Sequence, residues 1–513
     1  MVREGLSSVT KGTLFVLIAT LLWVLLNFVS RVVVVRSIGS DWNAFSFGLS
    51  LAGVLSAFGA LGLPSAVARS VPYVTSDDER RTIVRGSLWV GGLSALAISV
   101  LLFVFAGPIG QALGSSSVTL GLGFFPIAVG SGIVSSIIAS IFQGYEDVTP
   151  NALYILIVNP SLFLGFLVFW LVFPPVGITY TEALLAYALA NAFTIVLLAI
   201  YLVRRLPKKL PPGPQAPSAL PRLLRFAAPL FVVGVMASVA GSGDTIILGV
   251  FRQGEVGTYV ASLTLSRLVP IGVGSAAYIF LPVASRFVRS GDTPSIGTTY
   301  ATVTKWMTLV SMPLFLLFFF LPGASLAFVY GSGFTSQVLP LQITVAGAFL
   351  ITLLGPAGTA QVAYGQTRLL ATNAVATGLI DVIVALVLVP TTGPYGGYVG
   401  AAIAWGVANA SYSVLCLVQL GALTGVHPFR WHFVLPCLAT GLPIGAVLWA
   451  VHPSVPWFLL PVLGVGIALW FVLAVLFTRS VDEGDRLLLE ALERLLGRPL
   501  PILRRIGRYA LRT

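Results

Sequence analysis

The chain has 513 residues, 57% of them hydrophobic and 9% charged, with a mean hydropathy of +0.98. Soluble domains carry about 25% charged residues, so a soluble globular enzyme is excluded. The formal net charge of +12 would suit a nucleic-acid binder, but the basic residues cluster at the ends of apolar segments, which makes the charge topological.

The apolar segments read as membrane spans at roughly 12–35, 43–66, 83–106, 118–142, 151–173, 181–202, 223–248, 256–284, 299–321, 336–357, 369–389, 397–421, 432–451 and 455–477, each long enough to cross a hydrocarbon core of about 30 Å. The first, Leu14 to Val35, lacks a small-residue cleavage signal and reads as a retained span. With a cytoplasmic N-terminus, one side collects Arg3, Lys11, Arg69, Arg80, Arg81, Arg85, the basic residues of 204–225, Arg286, Arg289, Lys305, Arg368, Arg430 and the tail arginines. The other side receives only Arg36 and Arg252. Both termini are therefore expected in the cytoplasm of a multi-pass cell-membrane protein.

Segments of the first half return in the second. Leu63-Pro64-Ser65-Ala66 reappears as Leu281-Pro282-Val283-Ala284, and Ala190-Asn191-Ala192 as Ala408-Asn409-Ala410. Six spans return the chain to its starting side, so the repeats are parallel, and substrate sites of such transporters lie between repeats. The expected organisation is an N-lobe over 1–205, a proline-rich cytoplasmic linker over 206–222 that is not regular helix, a C-lobe over 223–421, two extra spans to 478, and an amphipathic basic tail over 479–513 lying on the inner leaflet.

Chemistry-bearing patterns are few. His427, His432 and His452 have no acid or thiol partners in sequence, so neither metal nor triad is indicated. Cys416 and Cys437 read as core residues, no Walker A pattern is present, and the sequon Asn409-Ala410-Ser411 lies inside a span. No cofactor is expected beyond a coupling sodium ion or proton, or the membrane potential. A charge at the bilayer centre costs at least about 2.5–3.5 kcal/mol, which singles out Arg31, Asp244, Arg267 and Asp381. Arg31, Arg267 and Asp244 are the candidate substrate contacts, cations for an anionic headgroup; Asp244 and Asp381 are candidates for charge balance or ion coupling. Arg69 and Arg286, beside the repeated Leu-Pro motifs, are candidates for a cytoplasmic entrance. The structural alternatives are that Arg31 snorkels, that Arg267 pairs with Asp244, and that Asn27, Asn159, Asn191, Gln361, Asn373 and Asn409 join helices.

Lys11-Gly12-Thr13-Leu14-Phe15 through Arg31 to Arg36-Ser37-Ile38-Gly39, then Phe58-Gly59-Ala60-Leu61-Gly62-Leu63-Pro64, resembles the opening of polysaccharide-export flippases. Gly243-Asp244-Thr245-Ile246-Ile247-Leu248-Gly249 resembles the start of their second lobe, and Tyr330-Gly331-Ser332-Gly333-Phe334 a later loop. The superfamily includes multidrug and toxin extruders, oligosaccharide-lipid flippases and lipid II flippases. The resemblance implies an all-α, two-lobed, V-shaped bundle of about fourteen spans that moves a polyprenyl- or dolichyl-linked oligosaccharide from inner to outer leaflet, without being an enzyme. It also implies a lipid-linked glycan and membrane lipids as partners, glycosyltransferases or a polymerase of the same pathway beside it, and a monomer. In lipid II flippases the arginine matching Arg31 meets the diphosphate and an acid often follows; here Val32 follows, which favours another glycolipid. A cation-coupled drug antiporter is the first alternative, and a membrane glycosyltransferase a remote one.

Overall fold

Small residues inside and bulky ones outside set the packing. Along α4 (Asp77–Ala112), Trp89, Leu93, Leu96, Val100, Phe103 and Val104 recur at helical spacing and are all exposed, whereas Ser87, Gly91, Ala95 and Ala106 are buried. A soluble helix shows the reverse arrangement. With lipid as solvent, bulky chains face outward and small ones let backbones approach. A Cβ at Gly91 would collide with Ile137 of α5 (Ser116–Gly144), and one at Gly59 with Ile133.

The computed structural model describes residues 2–173, 177–210, 213–335, 338–429, 431–451 and 455–477. The basic tail expected over 479–513 lies outside them, as do Arg430 and His452. The described residues form two compact units, Met1–Gly257 and Thr258–Thr513.

The first unit contains α1 (Val2–Ile38), α2 (Trp42–Gly59), α3 (Leu63–Tyr73), α4, α5, a π-helical stretch Pro150–Val158 running into α6 (Asn159–Val172), α7 (Tyr180–Lys209) and α8 (Ala219–Arg252). The second begins within α9 (Val256–Ser266). It continues through α10 (Ile271–Ser290), α11 (Thr293–Phe320), α12 (Pro322–Tyr330), α13 (Leu339–Leu354), α14 (Ala357–Ala363), α15 (Thr367–Leu388), α16 (Gly397–Thr424), α17 (Trp431–Val451) and α18 (Leu460–Phe477). Among the described residues these map onto the fourteen expected spans once α2–α3, Pro150–Val172, α9–α10 and α13–α14 are each taken as one broken span, with the short α12 lying between two spans. The chain is thus an all-α polytopic membrane protein.

Helix ends follow local chemistry. Thr179 and Glu182 form a capping box at α7, and the Asp292 carboxylate accepts from the Ser295 amide (3.1 Å) at the start of α11. The linker is shorter than expected, because α7 continues through Pro207 to Lys209 and α8 starts at Ala219. Pro221 falls in the first turn of α8, where backbone N–H groups have no helical acceptor to lose.

The repeats are not broken alike. In the first, Leu61 (φ 53°) and Gly62 (φ 69°) turn the chain between α2 and α3, and Pro64 opens the new helix. In the second, Leu281-Pro282 lies inside α10, and the interruption comes earlier, at Arg267–Pro270.

Candidate functional site

The first unit gathers polar side chains where α1 packs on Pro150–Val172 and on α7. Pro160 has no N–H for the carbonyl one turn earlier, and the chain before it takes the wider π register, with the Asn159 amide reaching back to the Tyr154 carbonyl. That register delivers Asn159 to α7. Its Nδ2 donates to Thr194 Oγ1 (3.1 Å) and, at 3.5 Å, to Asn191 Oδ1, which also accepts from Ser131 Oγ (3.2 Å). Asn191 Nδ2 donates to the Tyr187 carbonyl (2.9 Å).

Tyr187 extends this network to Arg31. Its ring lies 5.9, 5.7 and 5.3 Å from those of Phe45, Phe125 and Phe163, on three other helices. The Asn191 side chain and the Arg31 charge both act on its hydroxyl. Arg31 and Tyr187 each lie seven residues from the same-side ends of their helices, Ile38 and Tyr180, roughly 10 Å deep at 1.5 Å per residue. Ser131 and Thr194 are buried, whereas Arg31, Asn159, Tyr187 and Asn191 are half-buried. The cluster combines a cation, two carboxamides and a phenol on a rigid aromatic base, suited to a phosphate with attached hydroxyls.

The other expected residues are spread over both units. Asp244 is fully buried on α8, where its Oδ1 accepts from the Thr245 amide (2.5 Å) and hydroxyl (3.1 Å). Arg69 is exposed on α3, its guanidinium 4.6 Å from the centre of the Phe226 ring. In the second unit Asp381 is fully buried on α15, Arg267 is exposed at the break before α10, and Arg286 is exposed on α10. Asn373 and Gln419 exchange reciprocal amide bonds of 2.8 and 2.9 Å, and Gln361 Nε2 donates to Gln419 Oε1 (3.1 Å) and to the Cys416 carbonyl (3.1 Å). This carboxamide hub joins α14, α15 and α16. No group of three or more metal-ligating side chains occurs among the described residues.

Lys305 is the residue that sequence reading misplaced. Counted there as an inner-end anchor, it is 1% exposed and twelve residues into α11. Its charge acts on Cys437 of α17. The surrounding run of threonines was the available signal, and setting the helix start at 299 concealed it.

Residues 9–288 match the family model described as polysaccharide biosynthesis protein. The chain belongs to the polysaccharide biosynthesis protein family. Solved structures agree with the family's fold. An inward-closed lipid II flippase MurJ aligns with a TM-score of 0.72 and 16% identity, over 90% of this chain and 98% of that one. An inward-facing multidrug resistance MATE transporter aligns at 0.64 and 14%, over 79% and 94%. A MOP superfamily transporter from Pyrococcus furiosus aligns at 0.55 and 14%, over 81% and 96%. At such identities the likeness is one of fold. No curated protein matches the chain in sequence. The family match covers α1 through most of α10 and therefore contains the whole Arg31–Tyr187–Asn191 cluster.

Proposed function

We propose that this chain is a flippase that carries a lipid-linked oligosaccharide, on polyprenyl or dolichyl phosphate or diphosphate, from the inner to the outer leaflet by alternating access, for polysaccharide or glycoprotein glycan assembly. The observation that carries this reading is the half-buried cluster of Arg31, Tyr187, Asn159 and Asn191 in the membrane-embedded first unit. A glycan cannot cross hydrocarbon unaided, because each buried hydroxyl without a partner costs on the order of 2 kcal/mol or more. The cluster offers those hydroxyls partners, and Arg31 offers the phosphate a charge-assisted contact.

In this reading Arg267 and Asp244 contribute to the headgroup site, and Asp244 and Asp381 balance its charge or carry a coupling sodium ion or proton. Arg69 and Arg286 receive the phosphate at the cytoplasmic leaflet, with both termini on that side. The buried acids Asp244 and Asp381 also support a second reading, a cation-coupled multidrug antiporter.

The deciding experiment is lectin- or protease-monitored translocation of a lipid-diphosphate oligosaccharide in proteoliposomes, wild type against Arg31→Ala. Movement that falls at least about tenfold in the variant, a loss of roughly 1.4 kcal/mol of binding, supports the headgroup role. Equal movement removes Arg31 from the site. No glycolipid movement, with ion-driven export of organic cations, transfers the chain to the antiporter class.

A further inference from the structure

Sequence places the joint of a two-lobed transporter in the proline-rich stretch between repeats. In the structure that stretch is strapped to the first unit. Arg81, only 9% exposed, donates to Asp78 (2.6 Å) and to the Pro214 carbonyl (3.2 Å). The Thr82 hydroxyl accepts from the Ala216 amide (2.9 Å), and Glu79 pairs with Arg222. From this strap α8 packs along α2, α3 and α4, and the chain leaves the first compact unit only at Gly257.

There the backbone is built to bend. Arg252 departs from helical geometry (φ −147°, ψ 62°), Gln253–Glu255 form one 3-10 turn, and α9 begins at Val256. Two side chains from the first turn of α2 hold both polar groups of Gly257. Trp42 Nε1 donates to its carbonyl (3.0 Å) and Asn43 Oδ1 accepts from its amide (2.7 Å). A Cβ at 257 would lie 2.7 Å from Trp42 Cδ1, so this approach requires glycine. The turn before Trp42, Gly39–Asp41, is a three-residue 3-10 turn like Gln253–Glu255, so the clasp joins two corners of the same build. Beside it the Gln253 carboxamide is buried with no bond to its nitrogen or oxygen among the described residues. A buried amide left unpaired costs free energy, which favours any arrangement of this turn that frees it.

We infer that the Gln253–Gly257 turn, latched by Trp42 and Asn43, is the joint between the two compact units, and that Gly257 leaves the clasp when the second unit moves; the proline-rich stretch travels with the first. From the proposed function this takes only that the units move. The test is hydrogen–deuterium exchange on the full chain in lipid nanodiscs, which needs no substrate. Asn43→Ala removes the acceptor, and Trp42→Phe removes the donor while keeping a ring. Arg81→Ala releases the strap instead.

Amides of 256–262 are expected to exchange about tenfold faster in Asn43→Ala and roughly threefold faster in Trp42→Phe, with 213–222 unchanged. Arg81→Ala is expected to speed 213–222 alone. Wild-type exchange of 256–262 in both clasp variants, or its acceleration by Arg81→Ala, overturns the inference. Should Asn43→Ala fail to fold, Trp42→Phe decides alone. Loss of glycolipid movement in the wild type would touch the proposed function and leave this readout intact.

Discussion

Asn191→Ala separates a substrate contact from a helix tie, because the structure sets a low ceiling on its structural cost. Asn191 Oδ1 accepts from Ser131 and Asn159, but Ser131 also bonds the Ala128 carbonyl (3.1 Å) and Asn159 also bonds Thr194 (3.1 Å), so neither donor is orphaned by its loss. Its Nδ2 bonds a carbonyl of its own helix one turn back. Interhelical hydrogen bonds in membranes average about 0.6 kcal/mol and reach about 1.7. The expected destabilisation is therefore about 1 kcal/mol, or roughly 2–4 °C in Tm for a unit of this size. A bond to a phosphate-bearing headgroup is worth about 1.5–3 kcal/mol, which predicts glycolipid movement slowed roughly 10- to 150-fold at low substrate. The assays are thermal denaturation in detergent and initial translocation rates per folded protein in proteoliposomes. A Tm drop well beyond 5 °C with unchanged movement would refute the reasoning and make the cluster a structural tie.

Further outcomes follow from other sites. Gly62→Ala places a side chain at φ 69° with its Cβ 2.5 Å from the Phe231 nitrogen; left-handed strain of about 1–2 kcal/mol plus the backbone clash predicts at least about 3 kcal/mol lost, measured as Tm. Gly53→Ala, where a Cβ meets nothing within 4 Å, is expected to gain up to about 1 kcal/mol by the same measurement. Lys305→Met replaces a buried cation with an apolar chain of similar length and is expected to leave Tm unchanged or raised, while translocation falls at least about fivefold if an intramembrane charge marks function; unchanged translocation would make Lys305 a packing residue. At Asp147, burial pushes the carboxyl upward, but bonds from Tyr201 and Thr149 and the Lys209 charge outweigh it and hold the carboxyl below its ordinary 3.8. A depressed folded value gives stability that is present above the unfolded value and lost as pH falls through the folded one. Wild type is therefore expected to lose Tm below about pH 4, and Asp147→Asn to lose less over the same range; parallel curves would contradict it.

The fold was legible because membrane insertion writes itself in length and hydropathy: the spans, the repeat and the family resemblance all stand in the sequence. The candidate site was half legible. Arg31, Asp244 and Asp381 stand out as charges inside apolar runs, and both acids are indeed fully buried. Tyr187 does not stand out, since a tyrosine in a span is ordinary until three rings and an arginine are found around it. Pro207 reads as a helix breaker but lies inside α7, because tertiary packing overrides a local penalty of about 3 kcal/mol. The strap on Arg81 depends on contacts between residues more than a hundred positions apart, which no local pattern encodes.

The unequal helix breaks of the two repeats have an evolutionary consequence. A tandem duplication starts with interchangeable halves, and so long as both keep the same kinks either copy can stand in for the other. Here the Leu-Pro motif turns the chain at Leu63 but lies within a continuous helix at Leu281, while the second repeat's corner, bearing Arg267, opens about a dozen residues upstream. Once the corners had drifted apart, each half became answerable for a different geometry. A chimera built from two copies of the first half would lack the Arg267 corner altogether.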